Sequence, residues 1–289
     1  MSRKISIIIP ALNEADGIVP TLTRVKEVAT KEMWDLELIV VDDGSTDSTG
    51  ELAKKEGAII VRHPRNGGYG LSLQDGIRVS TADLIAITDA DGTYPIEELP
   101  KLVSMIDEGY DMAVGARTGA EYRQSWWKYP ARIAFRLLAE YVAGRRILDI
   151  NSGLRVMRRE KLMPHYTNTC YGFSFTTSIT LIFFLCGYFV GYTPIPYAAR
   201  IGKTKVRHLW DTLRTGQIMV SVIIRYNPIK LFLLMALMCL AGACVAWVLS
   251  VALGSFWLSA ATAGLVAATP IVFALGCVAE AVRFNRPSR

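Results

Sequence analysis

The stretch IAITDADGTYP, Ile85 to Pro95, sets two carboxylates one residue apart behind a short apolar run. Asp89 and Asp91 could fill a polar turn or hold a hard cation, and spacing alone does not decide, because turns are rich in Asp. If the apolar run is a strand, its side chains alternate, so both carboxylates project to one side while Ala90 points back into the fold. Hard divalent ions such as Mg2+ take one or two carboxylates and complete their shell with substrate phosphates and water. That donor set suits a nucleoside diphosphate better than a cage made of protein alone. A second acidic pair, Asp42 and Asp43 in VVDDGSTDSTG, ends another apolar run. Ser45, Thr46 and Asp47 behind it are helix-start residues. Capping does not account for Asp42 and Asp43, which could accept from a base N–H or from ribose hydroxyls.

Such acids work together only if the fold brings strand ends to one place. ISIIIP (Ile5 to Pro10), LELIVVDDG (Leu36 to Gly44) and GAIIVRH (Gly57 to His63) are short β-branched runs closed by Pro, Asp-Gly or Gly, and DLIAITDAD supplies another. They read as buried parallel strands. Between them, Gly17 to Thr30 repeats apolar residues near a 3.6 period, Ser45 to Gly57 opens with cap residues, and GGYGLSLQDGIRVS reads as a third helix. The order β-α-β-α-β-α-β predicts an α/β domain with a doubly wound, mostly parallel sheet, whose ligands collect at the carboxyl ends of the strands. Asn13, Glu14, Asp42, Asp43, Asp89 and Asp91 all follow such ends. NGGYG lacks the Lys-Ser/Thr pair of a P-loop, so Gly67, Gly68 and Gly70 are assigned a structural role. Further on, Glu97 to Glu108 reads as a helix, DMAVGAR as a strand and SWWKYPARIAFRLLAEYVAG as an amphipathic segment. SITLIFFLCGYFVGYTPIPY reads as a helix ending near Gly187 and a strand through Pro194, because glycines and prolines punctuate it; a re-entrant or interfacial segment is the other reading.

The chain of 289 residues, with net charge +6, divides sharply in composition: Leu231 to Ala279 holds no Asp, Glu, Lys or Arg. A spanning helix needs about 20 apolar residues, so this tail holds two spans, about 229–250 and 256–279, turning at Gly254-Ser255. A buried hairpin in a globular core is the bland alternative. Arg225 and Lys230 precede the first span, and Arg283, Arg286 and Arg289 follow the second. This bias puts both flanks on the cytoplasmic side, with Trp247 and Trp257 near the far interface. Residues 206–228 alternate basic and apolar positions at helical spacing, as a helix lying on a membrane surface would. The basic residues cluster at the approach to the membrane, and no aromatic-basic motif points to nucleic acid. The N-terminal apolar run breaks at Pro10 and is too short for a signal-peptide core. The five cysteines have no metal-ligand spacing and read as apolar fillers in a reducing cytoplasm.

IIIPALNE, VVDDGSTDST, NGGYG, DADGTYP, VGAR, NSGLRVMRR and RIGKTK occur in the order and spacing of family 2 glycosyltransferases of GT-A fold. The chain most resembles the dolichol-phosphate-mannose-synthase branch, the polyprenyl-phosphate glycosyltransferases. The resemblance covers Ile5 to about Lys205, residues 1–205 being the catalytic domain, and the two spans are similar to those of two-helix members. It implies that Pro10, Ala11, Asn13 and Glu14 form the first nucleotide-contacting loop, and that Asp43, with Asp42 beside it, receives the base or ribose. It implies that Asp89, Ala90 and Asp91 bind the donor, a GDP- or UDP-sugar, through Mg2+ or Mn2+. In the mannose synthases the residue two past this triplet is often a metal-binding Gln; here it is Thr93, which joins Asp89 and Asp91 as the candidate metal set while leaving the third ligand and the sugar open. Arg117 matches an arginine that helps hold phosphates, and Arg132, Arg200 and Lys205 match basic residues of the acceptor side. Guanidinium forks and a lysine ammonium suit phosphate oxygens. Related enzymes often associate, so a homo-oligomer is compatible with the resemblance.

Inverting transfer to an alcohol normally needs a carboxylate base. Where family members of that kind place one, this chain has YGFSFTTSIT, with hydroxyls and no acid. A phosphate monoester, with a second pKa of about 6, is already largely an anion. The reading is therefore a membrane-bound inverting transferase moving a sugar to dolichyl or undecaprenyl phosphate at the cytoplasmic face of a plasma or ER-type membrane. The surface helix, Trp126-Trp127 and the two spans would bring the lipid phosphate to the site. A glycan or other lipid acceptor would require a base from Asp149 or Glu140. A non-catalytic nucleotide-sugar-binding partner is the rival from outside enzymes.

Overall fold

The computed structural model describes residues 2–118, 129–169, 175–198 and 208–285; for 129–135, 168 and 208–215 it describes the backbone alone. Trp126-Trp127, Arg200, Lys205, Arg286 and Arg289 lie outside the described residues, as does the side chain of Arg132. Two compact units follow in sequence, residues 1–218 and 219–289.

The first unit is a seven-stranded sheet in the order β3-β2-β1-β4-β6-β5-β7. The strands are β1 (Lys4–Ala11), β2 (Asp35–Asp42), β3 (Ile59–Arg62), β4 (Leu84–Ile87), β5 (Met112–Thr118), β6 (Arg155–Arg158) and β7 (Val190–Pro196). The alternation of strand side chains supplies both faces with apolar groups. Ile5, Ile7 and Ile9 of β1 pack in one core with α1 (Ala15–Lys31), α2 (Thr49–Lys55) and α4 (Leu99–Asp107). Ile8 packs in the other, with α3 (Tyr69–Val79), α6 (Arg159–Leu162) and α7 (Phe175–Leu185). Helix α5 (Tyr129–Ala143) follows β5 in the chain. The expected three layers and parallel β1, β2, β3 and β4 are present, in register from Ile5↔Leu36 and Ile5↔Leu84.

One element departs from the expectation. Strand β6 runs antiparallel to both β4 and β5, pairing Ile87 with Arg155 and Arg155 with Val114. Its sequence, RVMR, is four residues with an arginine at each end, so no apolar run announces it. The segment after residue 177 is not re-entrant, because Phe175 to Phe183 are buried against the sheet and β7 pairs with β5.

Helix α8 (His208–Tyr226) precedes the second unit's helices α9 (Pro228–Leu253) and α10 (Phe256–Phe284). Each of α9 and α10 is long and apolar enough to cross a membrane, and little of either is buried. A core hairpin would hide these surfaces; instead Leu237, Met238, Val248, Val251, Phe273 and Val278 are exposed. Ala236, Ala243 and Ser250 of α9 are buried at a seven-residue spacing, the seam of a helix pair. Gly254 takes a left-handed φ of 62° between the helices, a conformation that suits glycine. At the other end, Arg283 Nη1 donates to the Tyr226 carbonyl at 2.7 Å and pairs with Glu280.

Candidate active site

The carboxyl ends of β1, β2 and β4 gather the acids. Asp89 and Asp91 follow β4 by a short step, and the peptide between them is fixed from α1, where the Thr21 hydroxyl donates to the Ala90 carbonyl at 3.2 Å. Asp91 is buried, and its Oδ1 accepts from the Thr93 N–H at 3.1 Å and the Thr93 hydroxyl at 2.7 Å. Thr93 therefore orients Asp91 from behind. The Asp89 Oδ1 accepts from the Tyr69 hydroxyl at 3.0 Å. Burial, with the Asp89 charge beside it, pushes the Tyr69 phenol well above its ordinary pKa, so it stays a proton donor. Gly153 closes the other flank, since a Cβ there would lie 3.1 Å from both Asp89 oxygens.

The β1 and β2 ends are tied together by main-chain donors. Asn13, with a left-handed φ of 49°, accepts the Thr46 N–H at 2.8 Å, and its own N–H donates to the Ser45 hydroxyl at 3.0 Å. The Glu14 N–H donates to the Thr49 hydroxyl at 2.9 Å. Asp43 holds the turn before α3, accepting the Gly67 and Gly68 N–H groups at 2.7 and 2.9 Å. His63 bridges Asp43 and Asp75 at 2.7 and 3.0 Å. Asp42 accepts the Ser45 N–H at 2.8 Å through Oδ1. Its buried Oδ2 has no hydrogen-bond partner, Arg62 Nε standing 3.5 Å away. A buried acceptor without a donor is costly, and α2 packs directly on this one, since a Cβ on Gly50 would lie 2.5 Å from it.

Across the sheet, Arg117 at the end of β5 meets Asp149. Arg117 Nε and Nη2 form a fork on the two carboxylate oxygens at 2.7 and 2.9 Å, and the Arg117 N–H adds a contact at 3.2 Å. The Asn151 N–H, at 3.1 Å, brings to four the donors on Asp149, which is almost fully buried. The Arg117 guanidinium also lies 5.4 Å from the Tyr197 ring centre, and Tyr197 packs edge-on to Tyr94 at 5.3 Å. Tyr94 accepts the Gly153 N–H at 2.7 Å, and the Ala198 N–H donates to the Thr93 carbonyl at 3.0 Å. The chain leaving β7 is thus pinned to the loop that carries Asp91.

Among the described residues no three Asp, Glu, His or Cys side chains gather as a metal cage. Two carboxylates at one strand end fit Mg2+ or Mn2+ only as an ion whose shell the substrate completes.

Residues 6–175 match the family model for glycosyl transferase family 2. The chain belongs to glycosyltransferase family 2. Among its relatives is a dolichyl-phosphate hexose transferase of Haloferax volcanii, 30% identical over 221 residues, which are 75% of this chain and 93% of that protein. Another is the undecaprenyl-phosphate 4-deoxy-4-formamido-L-arabinose transferase of Serratia proteamaculans, 29% identical over 163 residues, 54% of this chain and 49% of that protein. A solved structure with the same fold is glucosyl-3-phosphoglycerate synthase of Mycobacterium tuberculosis in complex with Mn2+, UDP-glucose and phosphoglyceric acid. Its TM-score is 0.63 at 21% identity, with 76% of this chain and 79% of that one covered. The likeness shows the GT-A fold.

In this glycosyltransferase the sequence-predicted Pro10, Ala11, Asn13, Glu14, Asp42, Asp43, Asp89, Ala90, Asp91 and Thr93 sit at the ends of β1, β2 and β4 or in the loops that follow them. Arg117 stands at the end of β5. Arg132 is on α5, backbone described. Reading residue types singly missed Tyr69, Tyr94, Gly153 and Tyr197, and gave Asp149 no ion-pair partner. Tyr69 lies inside NGGYG, whose glycines account for the motif as a turn, and the others touch the site only through tertiary packing.

Proposed function

We propose that this glycosyltransferase moves a sugar, with inversion, from a GDP- or UDP-sugar to the phosphate of a membrane-bound polyprenyl phosphate. The observation that carries the reading is the state of Asp149. A base must have a lone pair free for the acceptor proton. Asp149, the acid a hydroxyl acceptor would call on here, is occupied by four N–H groups. The other acid considered, Glu140, accepts the Ile147 N–H at 3.1 Å and faces Arg136. An acceptor that arrives ionised needs neither. The named activities of the two polyprenyl-phosphate relatives support the same class.

In the reaction an acceptor phosphate oxygen attacks C1 of the sugar, a C1–O bond forms, and the bond to the nucleoside diphosphate breaks with its electron pair leaving on that diphosphate. No proton need move. Asp89 and Asp91 would hold Mg2+ or Mn2+, which when bound supplies charge stabilisation to the departing diphosphate. Thr93 keeps Asp91 aimed, and Tyr69 does so for Asp89. Asp43, with Asp42 beside it at the end of β2, would face the nucleoside. Arg117, with Arg132, Arg200 and Lys205, would screen the repulsion between the two anionic substrates.

Helices α9 and α10 would anchor the enzyme, with both basic flanks and the catalytic unit cytoplasmic. The test is transfer of radiolabel from a panel of nucleotide sugars into extractable lipid, using protein in detergent with polyprenyl phosphate, with and without Mn2+. Metal-dependent label in lipid is the expected result. Donor binding with no lipid label from any donor would overturn the reading.

A further inference from the structure

Arg155 opens β6 with its side chain fully buried. The hydrogen-bond acceptors its guanidinium meets are uncharged. Nε and Nη2 both donate to the Ser152 carbonyl, Nε at 3.1 Å, while Nη1 donates to the Thr176 carbonyl at 3.3 Å and the Thr180 hydroxyl at 3.1 Å. Burial holds its pKa below the ordinary arginine value. Taking a charge out of water with only neutral groups in hydrogen-bonding contact is expensive, the nearby Asp149 charge offsets that cost only in part, and an apolar side chain of similar length is often as stable or more so. Stability alone therefore does not account for an arginine here.

Its bonds suggest what does. Ser152 belongs to the turn Asn151–Gly153, which enters β6. In that turn Gly153 lies against the Asp89 carboxylate, and its N–H donates to Tyr94 at 2.7 Å. The Asn151 N–H donates to Asp149, the partner of Arg117, and the Asn151 side chain accepts from the Thr177 hydroxyl at 2.6 Å. Thr176 and Thr180 lie in the first turns of α7. One guanidinium thus joins the helix to the turn that touches both Asp89 and Asp149. Strand β6 lies between β4, which leads to the acids, and β5, which carries Arg117.

We propose that Arg155 is a positioning residue, which clamps the Asn151–Gly153 turn to α7 and so sets Asp89 and the Arg117–Asp149 pair at the separation that sugar transfer requires. The inference rests on the chain's being a glycosyltransferase and not on the identity of the acceptor. Lysine cannot replace this clamp, because one ammonium lacks the planar fork that reaches Ser152 and α7 together.

The test uses the full chain in detergent and the variants Arg155→Met, Arg155→Lys and Thr180→Val. Three quantities are read: turnover with the acceptor the wild type uses, affinity for UDP and GDP with Mn2+, and melting temperature. Arg155→Met is expected to keep its melting temperature and lose turnover about 10- to 100-fold, the cost typical of removing a group that orients a ligand. Nucleotide affinity should change far less, because Asp91, Asn13 and Asp42 are held from α1 and β2. Arg155→Lys should follow Arg155→Met, and Thr180→Val should show a smaller loss. Turnover near wild type in Arg155→Met would overturn the proposal, as would losses of turnover, affinity and melting temperature in parallel. If Arg155→Met does not fold, wild-type turnover in both Arg155→Lys and Thr180→Val overturns it. A wild type that labels an alcohol or a glycan would sink the polyprenyl-phosphate reading and leave the Arg155 comparison to be made in that same assay.

Discussion

In the half of the sheet built on β1, β2 and β4, three carboxylates take main-chain donors from their own loops, while Asp43 and Asp89 are held from the turn before α3 and from Tyr69. In the half built on β5, β6 and β7, charged side chains are held by distant partners. Asp42 takes its donor from Ser45, Asp91 from Thr93 and Asp47 from Thr49, all within three residues. Arg117 meets Asp149 across 32 residues, and Arg155 reaches Thr180 across 25. The first arrangement is a set of stiff loops whose shape survives most single substitutions. The second depends on its members, since losing one of Arg117 and Asp149 leaves a buried charge behind and losing Arg155 unties Ser152 from α7. The two halves should therefore fail differently when mutated.

The largest effect is expected at Asp91. Asp91→Asn keeps the turn but removes the charge that would hold the metal, so Mn2+-dependent turnover should fall about 10²- to 10³-fold, the scale of losing one preorganised electrostatic group. Its melting temperature should stay near wild type, as measured by thermal unfolding. Asp149→Ala should differ by costing stability as well, about 3–5 kcal/mol for breaking a buried pair, with turnover falling in step as Arg117 loses its fork. Chemical denaturation checks the first part, and equal stability in Asp149→Ala and wild type would break the comparison.

Thr93→Val is a smaller probe of the stiff half. The hydroxyl that donates to Asp91 is lost at constant shape, and about 1 kcal/mol of orientation goes with it. Mn2+ titration of the nucleotide complex should show this as weakened metal affinity with an unchanged melting temperature. The smallest effect belongs to a surface pair outside both halves. Arg24 forks onto Glu97 at 2.9 and 2.6 Å, and that bond holds the Glu97 carboxyl below its ordinary pKa. A lowered folded-state pKa means that the contribution is complete above the unfolded value, about 4.3. It is lost as pH falls through the folded value. Because Glu97 is mostly exposed, the pair should be worth under about 0.5 kcal/mol. Glu97→Gln should melt slightly lower than wild type at pH 7, and the difference should shrink as pH falls through the lowered folded-state value.

The same contrast explains what could be read without coordinates. The strand ends at Pro10, Asp42 and Ile87, and the acids behind them, were legible because β-branched runs stop at Pro and Asp-Gly, and because Asp42 and Asp91 find a donor within three residues. Helix α7 and strand β7 were legible through Gly187, whose φ of 78° ends the helix run. Gly254 marked the hairpin in the same way. Strand β6 was not legible, since its place in the sheet comes from pairing with β4 and β5 and from an arginine whose burial depends on Ser152, Thr176 and Thr180. Nor could Asp149 be assigned as the partner of Arg117. An isolated Asp in DINSG has the same local chemistry whether it serves as a base or as an anchor, and only the fork from β5 separates the two.

The most direct test of the central claim compares polyprenyl phosphate with the corresponding free polyprenol as acceptors, at equal concentration with the same nucleotide sugar and Mn2+. An enzyme whose Asp149 and Glu140 are both engaged is predicted to label the phosphate alone. Comparable labelling of the alcohol would contradict the account and require a carboxylate base for the acceptor.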